Sequence, residues 1–394
     1  MVDVGDKGIV YSAGTDYSRF AAVSTPEVGD QVIVIPLDGY GDLAVPCLTF
    51  AIGEWVWVMP EFKFAGFDWK MDLHFNLIPV APVGGPALPT AWVLQNDNPG
   101  WVIRYSPTLA APPDGSVVLI GGANYSTPYY KNDVWRSTDN GANWTQMTAA
   151  AGWTARFGHT SVALADGSIV VMGGYTAAGV TNDVWRSTDN GANWTQMTAA
   201  AGWTARYGHT SVAMPDGSIV LMGGNRPAPV PCVFYNDVWR STDNGANWTQ
   251  MTAAAGWTAR FGHTSVVLAD GSIVIMTGRN DVLSASYNDV WRSTDNGANW
   301  TQMTADAEWS TRYASGSVAI GNTIILMGGN TTDDSFNNDV WVSSDCGATW
   351  TKIADAGWID RTQFGYTVLP DYSIVVACGI PETYSLCKDV WRYA

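Results

Sequence analysis

Positive charge is scarce in this chain. Of 394 residues, 20 are Lys or Arg against 36 Asp or Glu, a formal net charge of −16. Gripping nucleic acid takes a basic stripe, so no nucleic-acid partner is expected. Only four histidines are present, and the five cysteines have no metal-like spacing, so neither metal nor other cofactor is expected. No apolar run approaches the ~20 residues of a spanning helix, which argues against membrane insertion. The opening Met-Val-Asp-Val-Gly-Asp lacks the basic and apolar parts of a secretory leader. A soluble chain is the expectation.

Glycine and tryptophan are plentiful, 41 and 21 residues, and they fall in a repeat. An Asp-Val-Trp signature places Trp135, Trp185, Trp239, Trp291, Trp341 and Trp391 at spacings of 50, 54, 52, 50 and 50. In residues 153–203, Trp153-x-x-Arg156-Phe-Gly-His159 leads into an alternating, β-branched segment at 160–164. Asp166-Gly167 signals a tight turn before an apolar run at 168–172 that stops at Gly173-Gly174. A variable loop, a third strand around Trp185, a turn at Asp189-Asn-Gly191 and a fourth strand around Trp194 complete the unit. Four short antiparallel strands repeated at a period near ~50 describe a propeller blade.

First strands follow Arg104, Arg156, Arg206, Arg260, Arg312 and Arg361, so six blades are expected. The chain stops at Ala394, directly after a third strand, so the sixth blade lacks its fourth. Trp92 precedes Trp144 by 52 residues, as Trp101 precedes Trp153. Residues 90–95 are therefore expected to close the ring against the C-terminal strand and remove an open edge.

The Arg-Phe-Gly-His…Asp-Gly-Ser-Ile-Val-Val-Met-Gly-Gly…Asn-Asp-Val-Trp pattern of residues 156–185 resembles a kelch repeat. Ser187-x-Asp189-x-Gly191-x-x-Trp194 resembles the Asp-box hairpin of sialidase-like propellers, and it recurs in five of the six blades. The likeness implies an all-β, six-bladed propeller over residues 90–394, on a fold that hosts enzymes, lectins and scaffolds alike. Blades depart from it: Ser315 and Phe364 stand where His159 does, and Thr277 and Cys378 replace the first Gly of the pair.

Residues 1–78 do not share the repeat. Short apolar runs at 8–11, 31–35, 43–45 and 54–59 point to a small β-barrel or sandwich, with Trp55 and Trp57 on one face and His74 as its one histidine. The Pro- and Gly-rich stretch 79–89 reads as a stiff spacer. Such a layout suggests an anchor or assembly module tethered to a display surface.

Loops joining second to third strands share one face, and there the copies differ most: 123–131, 175–181, 225–235, 279–287, 330–337 and 380–387. Tyr125, Tyr129, Tyr130, Tyr175, Phe234, Tyr235, Tyr287 and Tyr384 add aromatic surface suited to a sugar or protein ligand; drift of relaxed loops is the plain alternative. Arg104, Arg156, Arg206, Arg260, Arg312 and Arg361 lie on the same face. They either cradle an anion or pair with Asp133, Asp183, Asp237, Asp289, Asp339 and Asp389. The hairpin carboxylates Asp139, Asp189, Asp243, Asp295 and Asp345 sit in turns that need a short acceptor, so their role reads as structural. His159, His209 and His263 recur at one position, a conceivable three-His site or a product of duplication.

Cys378 and Cys387 flank the last variable loop, where a disulfide could cross the hairpin; Cys47, Cys232 and Cys346 read as free thiols. Sequons begin at Asn143, Asn193, Asn247 and Asn299, and at Asn124 and Asn330. The functional expectation is a non-enzymatic adhesion or receptor-binding component of a virion, filament or extracellular surface. It would bind a glycan or protein through the propeller and an assembly partner through residues 1–78. The alternatives are a sialidase-like hydrolase drawing on Asp281, Asp333, Asp334 or Glu382, and an intracellular kelch-type adaptor.

Overall fold

The computed structural model describes residues 91–227 and 232–394 in full, and between residues 1 and 90 only the backbone of short strands. Two compact units divide between Ala87 and Leu88. In the first, Trp55–Pro60 lies between Pro36–Leu37 and Cys47–Ile52, and Phe67–Met71 between Phe62–Phe64 and Leu77–Val80. Val2–Asp3 pairs with Ile9–Val10. The expected strands at 31–35 and 43–45, closure into a barrel or sandwich, His74, the Cys47 thiol and the side chains of Trp55 and Trp57 lie outside the described residues.

Each repeat of the second unit folds as one antiparallel blade. Blade two comprises Thr160–Ala163, Ile169–Thr176, Gly179–Ser187 and Thr195–Thr198, paired in that order. Blade six takes three strands from the C-terminal end, Gly365–Val368, Ile374–Ala377 and Val390–Tyr393, and its fourth from Trp92–Asn96. Trp92 faces Tyr393 and Val93 faces Arg392, the second being the register that Thr145 holds against Arg136 in blade one. The ring is closed by a strand from the far end of the chain.

The second strand of each blade is apolar throughout because neighbours cover both of its faces. In blade two, Val170 and Met172 pack toward Trp203 of the next blade. Ile169 and Val171 pack toward Val118 and Ile120 of the preceding blade, around Trp153. The tryptophans of the Trp-x-x-Arg segments are at most 2% exposed, and each meets a fourth-strand tryptophan edge-on at 4.7–6.0 Å. The sixth such pair is Trp92 with Trp358, so closure repeats the packing of every other interface. On the hairpin face, a Cβ at Gly191 would stand 2.5 Å from Val134 of the preceding blade, and only glycine lets the hairpin clasp its neighbour so closely.

A run of five backbone hydrogen bonds links the six blades around the axis. Gly208 N–H donates to Gly158 C=O, Gly262 to Gly208, Ala314 to Gly262, Gln363 to Ala314 and Ser106 to Gln363, at 2.7–3.2 Å. All six residues are left-handed, with φ between 47° and 62°. Ser106, Ala314 and Gln363 hold this conformation against a penalty of about 1–2 kcal/mol each for an L-residue, and these hydrogen bonds offset it.

Candidate functional site on the variable-loop face

The variable loops and the Trp-x-x-Arg segments do share one end of the propeller: Arg206, Arg260 and Arg312 donate their backbone N–H to Thr181, Tyr235 and Tyr287 of those loops. The six arginines are not an anion cradle. Arg104, Arg156, Arg206, Arg260, Arg312 and Arg361 are at most 1% exposed, and each forks onto the aspartate of its own blade. Arg156 donates through Nη1 to Asp183 Oδ1 at 2.7 Å and Gly173 C=O at 2.8 Å, through Nη2 to Asp183 Oδ2 at 2.8 Å, and through Nε to Thr154 C=O at 3.0 Å. Trp185 Nε1 completes the carboxylate at 2.7 Å. Burial pushes the Asp183 carboxyl up, but the guanidinium bonds outweigh it and hold the pKa below the usual value. Four of the five Arg156 donors are committed within the blade, and the burial of all six side chains leaves no guanidinium surface for a ligand.

The predicted aromatic residues divide into three groups. Tyr125, Tyr129 and Tyr384 are more than half exposed. Tyr235 lies over the Arg206 guanidinium at 4.0 Å and Tyr287 over Arg260 at 4.2 Å, so these two act as lids on the buried ion pairs. Tyr130, Tyr175 and Phe234 join a crescent that the sequence reading missed. Tyr105, Phe157, Tyr207, Phe261 and Tyr313 follow one another around the mouth of the axis, with ring centroids 5.7–6.1 Å apart. Tyr130 stacks on Phe157 at 5.4 Å, and Phe234 leans on Phe261 at 5.7 Å. The signal was present: an aromatic follows the repeat arginine in five blades, and Thr362 replaces it in the sixth.

Below the mouth a cavity of about 250 Å³ runs along the axis, lined by main chain, Ser and Thr residues, and the three histidines. His159, His209 and His263 share hydrogen bonds through Nε2 with Thr108, Thr160 and Thr210 of the preceding blades at 3.0–3.2 Å. Burial first, and then the nearby repeat arginine, lower the pKa of His159 and His263 to about 3, and His209 is also held well below its usual value. No cluster that could hold a metal occurs among the described residues. Each imidazole instead fills the space beside the first glycine of the pair one blade back: a Cβ at Gly173 would meet His209 Cε1 at 2.7 Å.

The hairpin aspartates stand in turns. Asp189 accepts from Asn193 N–H at 2.9 Å, Asn193 Nδ2 at 2.8 Å and Ser187 Oγ at 2.8 Å. Burial raises its pKa, and these bonds bring the net shift below the usual value. Asp139, Asp243, Asp295 and Asp345 repeat the pattern.

The possible disulfide does not form, and Cys378 and Cys387 are free thiols. Cys378 takes the left-handed turn of the glycine it replaces, with φ 66°, and packs among Trp101, Leu109 and Val390. The Cys387 backbone is instead bonded to Gly379 and Arg104, and its thiol sits beside Ser385 C=O. The two side chains serve different surroundings. Cys232 and Cys346 are free as well. Of the sequons, Asn124 and Asn330 are buried and unsuited to modification, whereas Asn143 and Asn193 are exposed.

Six four-stranded blades carrying this repeat in register around a closed axis define a kelch-repeat, six-bladed β-propeller. The family profile described as the KLHDC2/KLHL20/DRC7 Kelch-repeats domain matches residues 98–276. One described as Sortilin-Vps10 (sortilin, neurotensin receptor 3) matches residues 236–368. No curated protein matches the sequence. Among solved structures, that of YjhT is similar with a TM-score of 0.60, over 73% of this chain and 94% of that one, at 15% identity. Likeness at that level is one of fold.

Proposed function

We propose that this protein is a non-enzymatic binding module, an adhesion or receptor-binding component displayed on a virion, filament or cell surface. Its variable-loop face engages a glycan or protein, and residues 1–78, as a small β-barrel or sandwich, join it to its assembly. The observation that carries the reading is the aromatic crescent: five rings from five blades, at 5.7–6.1 Å intervals, held at the end where the repeats diverge. A rigid scaffold presenting varied loops is the usual basis of recognition. The Ser-x-Asp hairpins, which resemble Asp-boxes, serve on the opposite face as clasps between blades. The test is size fractionation and imaging of the native source. Co-purification with a particle or filament is the expected result; a free monomer without a partner would refute surface display.

One observation favours a second reading, a glycan hydrolase. Glu382 N–H donates to Asp360 C=O at 3.2 Å, which makes the two acidic residues neighbours, and burial and then the Glu382 carboxylate raise the Asp360 pKa, the direction a general acid needs. Turnover of a sialoside or other glycan, abolished by Glu382→Gln and by Asp360→Asn, would replace the binding reading with this one.

A further inference from the structure

Around the mouth, the residue after each repeat arginine pairs with the residue after each Gly-Gly step. The six pairs are Tyr105 with Ala123, Phe157 with Tyr175, Tyr207 with Asn225, Phe261 with Arg279, Tyr313 with Asn330 and Thr362 with Ile380. They divide the rim in two. Blades six, one and two contribute mostly aromatic and aliphatic groups, while blades three to five contribute a Tyr-Asn pair on either side of Phe-Arg.

Both asparagines face the tyrosine of their pair across the rim. Asn330 Nδ2 donates to the Tyr313 hydroxyl at 2.9 Å, whereas Asn225 Nδ2 lies against Cys232 Sγ at 4.0 Å. Asn225 is 2% exposed and Asn330 is 7% exposed, yet the Oδ1 of each has no partner. Between them Arg279 Nε holds Asp281 Oδ1 at 2.6 Å, with the guanidinium 5.2 Å over the Tyr313 ring. A buried acceptor without a donor is rare in a folded protein, and a ligand or water hydroxyl is what satisfies it.

These groups specify the chemistry of an occupant. Two orphaned acceptors call for O–H or N–H donors, and the aromatic rings call for a flat apolar face. A small inorganic anion supplies no donor, and an anionic sugar would meet the Asp281 carboxylate on a chain of net charge −16. A peptide strand needs an open sheet edge, but Tyr207 and Asn225 already exchange both of their backbone bonds, as do Phe261 and Arg279. A pyranose carries hydroxyl donors around its edge and a C–H face on one small body. We propose that the rim of blades three to five is a subsite for an uncharged saccharide. Asn225, Asn330 and Asp281 accept from its hydroxyls, Arg279 donates to its oxygens, and Tyr207, Phe261 and Tyr313 cover its apolar face. The assignment rests on the binding reading above and names its ligand class.

The full-length chain is screened on immobilised hexaoses of glucose, mannose, galactose and N-acetylglucosamine, beside sialyllactose and a chondroitin sulfate hexasaccharide, and hits are titrated by calorimetry. At least one uncharged hexaose is expected to bind, with affinity falling tenfold or more in Asn330→Leu, Asn225→Leu and the surface variant Arg279→Met. Tyr372→Asn on the hairpin face is expected to bind as the wild type does. Preference for the anionic sugars, binding indifferent to all three rim variants, or no saccharide binding would overturn the assignment. Attachment to intact cells that resists periodate but not protease would overturn it while leaving the binding face in place. No attachment in any form would take the broader reading with it.

Discussion

The departures in blades four and five make a quantitative test. Gly173 faces His209 across one blade interface; at the equivalent place in the next interface but one, Thr277 faces Ser315. Ser315 Oγ donates to Thr277 Oγ1 at 3.2 Å, so the two substitutions compensate each other. Installing one half alone should therefore be costly. Gly173→Thr puts a β-branched residue at φ +60° with its Cβ 2.7 Å from the imidazole. That combines about 1–2 kcal/mol of left-handed strain with about 1–3 kcal/mol of overpacking. His209→Ser empties the imidazole site and leaves Thr160 without its 3.0 Å partner, a loss of about 2–3 kcal/mol. In the double variant the clash is gone and the hydroxyls can meet. Thr160 can turn to Ser211 Oγ, which is unpartnered, as Thr264 bonds Ser317 Oγ at 2.6 Å. The double variant should be more stable than the sum of the singles by about 2 kcal/mol, within the range seen for contacting residues. Urea unfolding followed by tryptophan fluorescence measures the cycle. Additivity within about 0.5 kcal/mol would refute the compensation.

Acid should weaken the fold well before its carboxylates titrate. The folded-state pKa of His159 and His263 is about 3, and His209 is also depressed, so between about pH 6.5 and 3 the unfolded chain binds protons that the folded one does not. Stability is full above that window and falls toward its acid end by up to about 1.4 kcal/mol per pH unit per histidine; urea midpoints unchanged from pH 7.5 to 5 would contradict this. Asp133, Asp183 and Asp339, whose pKa values are lowered, add their loss only below about pH 4. Arg206→Met leaves the Asp237 carboxylate without its fork and should cost about 3–5 kcal/mol, with part regained in Arg206→Met/Asp237→Leu; an unchanged melting temperature would count against a structural role. Removing residues 1–97 uncovers the edge of Val390–Tyr393, and size-exclusion chromatography should show association or aggregation instead of a monomer. Burial pushes the Cys378 thiol up to about 12, so native maleimide labelling should leave it unmodified; fast labelling, or a Cys378–Cys387 bridge in non-reducing mass spectrometry, would refute that assignment.

The propeller was legible because its information is repeated. Six copies of Trp-x-x-Arg and Asp-Val-Trp fixed the blade count, and the spacing of Trp92 from Trp144 was enough to assign a strand to the far end of the chain. The arginines were readable only as alternatives, since a guanidinium suits a buried aspartate and a bound anion equally until its burial is known. The rim stayed hidden for a different reason. Phe157 and Tyr207 look like ordinary repeat positions along the chain, and they form a surface only when corresponding residues of neighbouring blades meet at the axis. The Thr277–Ser315 exchange was visible as two departures but not as one, because the contact joins residues 38 apart in different blades. The cysteines misled because nearness across a loop says nothing of which way each side chain points.

The closing strand also sets how the propeller would carry a mechanical load. Fourth strands run from the hairpin face toward the variable-loop face, so the chain enters the propeller at Ala91, beside Ala394 and away from the mouth. A pull between a ligand held at the mouth and a tether attached before residue 91 is directed along Trp92–Asn96. It would slide that strand past Val390–Tyr393 rather than peel it away. In sliding, the hydrogen bonds of the pairing and the Trp92–Trp358 contact are strained together, and none gives way first. A ring closed in this way would be most resistant to a pull between Ala91 and the mouth.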